Sequence, residues 1–345
     1  MKAWWRRGPK AKTITLALQG GGAHGAYTWG VLDRLLEEPR IVIEGVSATS
    51  AGAMNAAVLA QGLMTGGVQG GRAALESFWH GVSGAAQTAP FQSTWLSRWL
   101  GSWNMGCFPA TLALDVVPPM FSPYKLNPFN LNPLRDLLVK TIDFDRLKDC
   151  SPVKLFISAS NVRSGRIKVF ETRELSADVL MASASLPLLF RAVEIDGEAY
   201  WDGGYMGNPA IFPLIYDCES RDVLIVRVTP IRREEVPKTA REILNRINEI
   251  SFNSSLMREM RAIAFVTRLI DEGVVKKRRL KRILVHDIDA EPYMAQLAFS
   301  SKLDPHWHFL MHLRDIGRES ADRWIQTNFD KVGVESSIDL RAEFL

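Results

Sequence analysis

The 345-residue chain has few cysteines: Cys107, Cys150 and Cys218 stand far apart, odd in number, and no two lie at the spacing of a zinc or thiol redox motif. A disulfide framework is thereby excluded, and a reduced, cytoplasmic setting is expected. Long apolar runs are also missing. Nowhere do about 18 consecutive residues stay apolar, so no transmembrane helix is expected and membrane contact would be peripheral. The apolar run Thr13 to Leu18 behind the basic, aromatic start is shorter than a secretory h-region, and no cleavable signal is expected. Excess charge of one sign is lacking too: 42 Lys plus Arg face 38 Asp plus Glu, a formal net charge of +4. No whole-molecule field calls for nucleic acid, although a local basic patch is allowed.

What is present is an alternation of strand and helix patterns. Thr13 to Leu18 is a β-rich run ending at Gln19-Gly-Gly-Gly-Ala-His-Gly25, and from Ala26 to Glu38 the apolar positions Tyr27, Val31, Leu32, Leu35 and Leu36 recur at helical spacing until Pro39. A strand follows from Ile41 through Thr49, then a small-residue helix from Ala51 to Ala60. This β-α-β-α order predicts an α/β fold with a mostly parallel central sheet flanked by helices. Further strands are predicted at Val153 to Ala159, Arg166 to Phe170, Ala192 to Ile195 and Asp222 to Val228, with turns at Ser164-Gly165 and Asp196-Gly197. Residues 85–133 break the pattern, with seven prolines from Pro90 to Pro133 among tryptophans and phenylalanines. They read as an irregular insertion, either a pocket wall or an excursion packed on the core. The chain divides best at Pro230 to Pro237, giving a catalytic domain at 13–230 and a mainly helical region at 231–345 packed on it. In that region a helix is expected from Thr239 to Val275, interrupted near Phe252-Asn-Ser-Ser255, with a late strand at Arg282 to Ile288 and a helix at Phe309 to Phe329.

Gly20-x-Gly22-x-x-Gly25 follows a strand, opens a helix and has Glu44 about 20 residues further on, which is the spacing of a dinucleotide-binding loop. The same loop offers backbone N–H groups at a helix start, and these suit a tetrahedral oxyanion equally well. Ala48-Thr-Ser-Ala-Gly52 separates the readings. A strand runs into Ser50 and a small-residue helix leaves it, with small residues two before and two after, as a nucleophile elbow requires. Ser50 as a plain helix cap is the bland alternative, and the two roles are compatible.

A nucleophilic serine needs a base. The six histidines are His24, His80, His286, His306, His308 and His312, and none has the setting of a triad member. His308 and His312 could share a helix face and bind a metal with His306, but no nearby carboxylate completes a site. Asp202, in Tyr200-Trp-Asp-Gly-Gly-Tyr205, is the better candidate, since Gly203 and Gly204 allow a tight turn that presents it. Taken alone it would be an Asp-Gly turn capping local amides.

Glycine loop, serine elbow and Asp-Gly-Gly, in this order, resemble the patatin-like phospholipase family, and Ala182-Ser-Ala-Ser-Leu-Pro-Leu-Leu-Phe190 resembles the family's segment before the aspartate strand. The resemblance implies an α/β-hydrolase-related three-layer sandwich with a helical C-terminal extension. It implies a lipid acyl hydrolase in which Ser50 is the nucleophile, Asp202 the general base, and Gly20, Gly21 and Gly22 the oxyanion loop, with Gly25, Gly52, Gly203 and Gly204 in support. An acyl-enzyme is implied, with no metal and no cofactor. The family's loop commonly begins with aspartate and carries a basic residue near its end, where this chain has Gln19 and His24, and the elbow's first glycine is Ala48. The alternatives are a dinucleotide-binding protein using Gly20, Gly22, Gly25 and Glu44, and a catalytically silent lipid-binding protein.

Lys276-Lys-Arg-Arg-Leu-Lys-Arg282 holds six basic residues in seven and is read either as a solvated helix end or as a contact to an anionic membrane surface. Aromatic interleaving is missing from it, so no nucleic acid partner is expected. Trp4, Trp5, Arg6 and Arg7 suit a membrane interface or a flexible terminus alike.

Overall fold

A computed structural model describes residues 11–87, 122–126, 130, 132–187, 189–275, 280–297 and 299–344. Its centre is an eight-stranded mixed sheet in the order β5-β6-β3-β2-β1-β7-β8, with β4 on the other edge of β3. The strands are β1 Lys12–Leu18, β2 Ile41–Ala48, β3 Lys154–Asn161, β4 Ile167–Glu171, β5 Val193–Ile195, β6 Glu198–Asp202, β7 Asp222–Val226 and β8 Leu284–Ile288. The run β3-β2-β1-β7-β8 is parallel. Its inner strands are buried on both faces, which is why β7 reads as an unbroken apolar stretch rather than an alternating one. Leu16, Leu18, Leu224 and Val226 face one core; Ala17, Val223 and Ile225 face the other.

In register, Leu18 pairs with Ala48 and Val226, and Val226 with Ile288. The C-terminal ends of four strands therefore lie level along one edge, where ligands of open α/β sheets bind. The predicted hairpin turn is present: Asp196 and Gly197 both have positive φ, 50° and 78°, between β5 and β6. So is the Ser164-Gly165 turn between the antiparallel β3 and β4.

Helix α1 (Gly25–Leu36) is buried along nearly its whole length, because Trp307–Asn328 covers the side turned away from the sheet. The helix predicted to begin at Ala51 forms as α2, Ala51–Gln87, with non-helical residues at Gly66 and Gly67. Its second arm returns along the first, bringing Gly62 against Gly70 and Ala74. The short helix α3 spans Ala177–Ser183, α4 spans Ala240–Asp271, and α5 is Trp307–Asn328.

One expectation changes. Helix α4 runs through Phe252-Asn-Ser-Ser255 without interruption. Asn253 and Ser255 bond to Pro230, Gln19 and Asn208 outside the helix, so they do not compete for its own backbone. The insertion at 85–133 is described only at 85–87, 122–126, 130 and 132–133, so its reading as a pocket wall lies outside the described residues, as do Trp4, Trp5, Arg6 and Arg7. Of the basic run, Lys276 to Arg279 also lie outside them. Lys281 donates to Cys218 O at 2.6 Å and Arg282 pairs with Asp271 at 3.1 Å.

Candidate active site

Strand β3 positions the two predicted residues. Along one edge it pairs first with β2, Ile157 opposite Ala48, and then with the antiparallel β6, Ala159 opposite Asp202. Strand β4 occupies the other edge, so β2 and β6 meet end to end. Ser50 leaves the tip of one as Asp202 ends the other. Residues 152 positions apart are thus delivered to one point by strand pairing alone.

Ser50 has φ 55°, the left-handed region, where a non-glycine residue is strained. Helix α2 starts at the next residue, and Ser50 O accepts from Met54 N at 3.2 Å. Ser50 is 9% exposed, and its hydroxyl lies close enough to the Asp202 carboxyl to lower that group's pKa. Asp202 is buried, and its Oδ1 also accepts from Gly204 N at 2.7 Å. Burial pushes its pKa from 3.8 up to about 7, although the Gly204 amide, the Ser50 hydroxyl and the Lys302 charge each pull it down. The segment 183–185 holds both partners. Ser183 Oγ accepts from Ser50 N at 2.9 Å, and Ser185 O accepts from Asp202 N at 2.9 Å.

The glycine loop passes directly over the serine. A Cβ on Gly20 would lie 2.6 Å from Ser50 Cβ, and one on Gly22, at φ +60°, would run into the backbone carbonyl of Lys302. Gly20 N donates to Asn208 Oδ1 at 2.7 Å, so that amide is already committed. The amides of Gly21 and Gly22 donate to no group among the described residues. Gly25 opens α1 against Ala51, and Gly52 sits in the first turn of α2 against the Leu18 and Gln19 carbonyls. Gly203 and Gly204 form the turn after Asp202, with the Phe252 ring packed on Gly204.

Gln19 is fully buried, and its side-chain amide uses both ends. Its oxygen accepts from Val228 N and Thr229 N, each at 3.0 Å, and its nitrogen donates to Asn208 O and Asn253 Oδ1. An aspartate there would match the two donors but could not serve the two acceptors. His24 bonds Ser301 Oγ at 2.7 Å, and burial lowers its pKa to about 3, so it is neutral and braces the loop. Sequence reasoning missed Asn208, Ser301 and Lys302, none of which stands in a motif. Ser183 lay inside the segment noted for its resemblance but had no assigned role.

The dinucleotide reading fails on placement. Glu44 accepts from Glu219 N and Ser220 N, at 2.7 and 2.8 Å, in the loop that enters β7. That is the edge of the sheet opposite the glycine loop, because the intervening strand β1 runs from one edge to the other. The histidine metal reading fails as well. No group of three or more metal-ligating side chains occurs among the described residues, His306 pairs with Asp304, and the His312 ring packs on Tyr293. No helix among those residues is long and apolar enough to cross a membrane.

A mostly parallel sheet with helices on both faces and a strained serine at a strand-to-helix turn define the class: an α/β protein of hydrolase type. The family model for patatin-like phospholipases matches residues 16–215, and the chain belongs to that family, one of lipid hydrolases. No curated protein matches it. Similar solved structures include VipD from Legionella pneumophila, at 16% identity over 90% of this chain and 67% of the other, with TM-score 0.36. A second is the heterodimeric ExoU–SpcU complex from the type III secretion system of Pseudomonas aeruginosa, at 18% identity over 72% of this chain and 51% of the other, with TM-score 0.29. The chain thus spans about half the length of that second relative.

Proposed function

We propose that this chain hydrolyses carboxylic esters of acyl lipids through Ser50 and Asp202. The observation that carries the reading is a strained serine set beside a buried carboxyl whose pKa burial raises to about 7. A base is most effective when its pKa lies near the working pH, and an ordinary aspartate falls well below it. Asp202 takes the proton as Ser50 attacks the ester carbonyl. The tetrahedral oxyanion is received by the amides of Gly21 and Gly22, while Gly20, tied to Asn208, fixes the loop at its distance. Collapse breaks the bond to the alcohol, which leaves with the proton held by Asp202. Water, activated by the same carboxylate, then releases the acid from Ser50. This chemistry uses no metal and no organic cofactor. The reading includes a cytoplasmic location with peripheral contact to an anionic membrane surface.

An alkyl fluorophosphonate and a soluble short-chain ester test it. Wild-type protein should take up one phosphonyl group on Ser50 and cleave the ester. Ser50→Ala and Asp202→Asn should each abolish turnover while retaining the circular dichroism of the wild type. Turnover persisting in either variant would remove the substituted residue from the mechanism, and labelling at another residue would remove Ser50.

A further inference from the structure

Helix α4 has two faces with different consequences. Glu249, Asn253, Leu256, Met260 and Ile263 are buried along one side, which closes the Ser50–Asp202 end of the sheet. There Phe252 packs on Gly204 and stacks edge-on to Tyr205 at 5.1 Å, and Asn253 bonds Gln19. The outward side carries Ile243, Leu244, Ile247 and Ile250, exposed by 41%, 59%, 53% and 55%. At about 100° per residue these four fall within a stripe of about 120°, roughly opposite the buried one. The stripe continues through Arg258, Arg261 and Phe265, all exposed. No acidic residue falls on it between Ile243 and Phe265. The two arginines donate to helix carbonyls one turn back, Ser254 O at 3.2 Å and Met257 O at 3.4 Å, and neither pairs with a carboxylate among the described residues.

We propose that the outward stripe of α4 is a docking face for an anionic lipid surface, against which the helix lies flat. The proposal rests on the lipid-hydrolase reading for the kind of surface. Its chemistry is that of an interfacial amphipathic helix: aliphatic side chains enter the acyl boundary, and guanidinium groups further along the same line meet phosphate. Charge complementarity selects the occupant, because unpaired arginines in line with isoleucines fit a surface that is apolar below and anionic above. Position supports the same choice. The inner face of this helix lines the proposed site, so a lipid surface held on the outer face stands beside the end of the sheet where Ser50 works.

The test uses Ser50→Ala protein, so that binding is read without turnover and a failure of the hydrolase reading is scored separately. It should cosediment with vesicles of phosphatidylcholine mixed with phosphatidylglycerol, and less with phosphatidylcholine alone. Ile247→Asp with Ile250→Asp should weaken binding by about tenfold or more at an unchanged melting temperature. Arg258→Gln with Arg261→Gln should remove the preference for phosphatidylglycerol. With Ser50 restored, the aspartate pair should still cleave the soluble ester and lose cleavage of vesicle lipid. Vesicle binding that is absent in the parent, or equal in the aspartate pair, would overturn the proposal. A fall in melting temperature would mean that the chain itself covers the stripe. Light scattering that showed a dimer split by the aspartates, with vesicle binding unchanged, would assign the face to a second copy. Vesicle binding as expected without ester cleavage by the wild type would instead sink the hydrolase reading and leave the docking face standing.

Discussion

Asp202 holds its proton more tightly in the folded chain, with a pKa of about 7, than in water at 3.8. The sign of the linkage follows. The group's favourable contribution to stability is complete below pH 3.8, declines as pH rises to about 7, and is gone above it, because ionising a buried carboxyl costs more than ionising an exposed one. In the proposed mechanism activity runs the other way, since only the carboxylate accepts a proton from Ser50. The acid limb of kcat/KM should therefore lie near pH 7 rather than near 4. Asp202→Asn should raise the melting temperature above wild type at pH 8, by less at pH 5, while ester turnover is lost. Paired melts at the two pH values check this, and an unchanged or lowered melting temperature at pH 8 would contradict it. At this scale the two side chains of the proposed dyad were legible in the sequence because each sits in a short local motif. The environment that tunes them was not. Ser183, Asn208 and Lys302 reach the site only through the fold, and Gln19 looked like a departure until its four hydrogen bonds explained it.

Elements were readable where a local rule governed them. The Asp196-Gly197 turn and the strands around it follow from backbone preference, and β7 and β8 from short apolar runs. Helix α4 misled because serine and asparagine in mid-helix count against helix until their outside partners are known. The crossing of α1 and α5 shows the same limit. A Cβ on Gly30 would meet the Arg314 carbonyl, and one on Gly317 the Tyr27 carbonyl, so the two backbones touch at both glycines. Helix propensity alone favours alanine over glycine by about 1 kcal/mol. Overpacking a buried contact costs about 1–3 kcal/mol, and more where the obstacle is backbone. Gly30→Ala should thus lower the melting temperature by several degrees. Gly84→Ala, in open space on α2, should leave it unchanged or raise it slightly. Thermal melts of the pair decide the matter, and a stabilised Gly30→Ala would show that the helices can separate without loss.

At the scale of the molecule, the family match ends at residue 215, yet the structure beyond it is built into the same sheet and the same site. Strand β8 covers the free edge of β7, with Asp222 to Val226 paired to Leu284 to Ile288. Helix α5 shields Tyr27 and Trp29 of α1, and the turn Phe299–Leu303 carries both Ser301, bonded to His24, and the Lys302 carbonyl that sits under Gly22. A cut at 230 would bare a long apolar strand edge, uncover α1 and release the glycine loop, which together exceed what a domain of marginal stability tolerates. Residues 11–230 expressed alone should therefore aggregate or show no cooperative melt, and should not take up fluorophosphonate at Ser50. Coexpression with 231–345 should restore both the melt and the labelling, because the missing strand and helix dock through surfaces that already exist. If the shorter chain melts cooperatively and is labelled at the wild-type rate, the C-terminal third is an appendage. The brace under the glycine loop would then have to come from within residues 11–230.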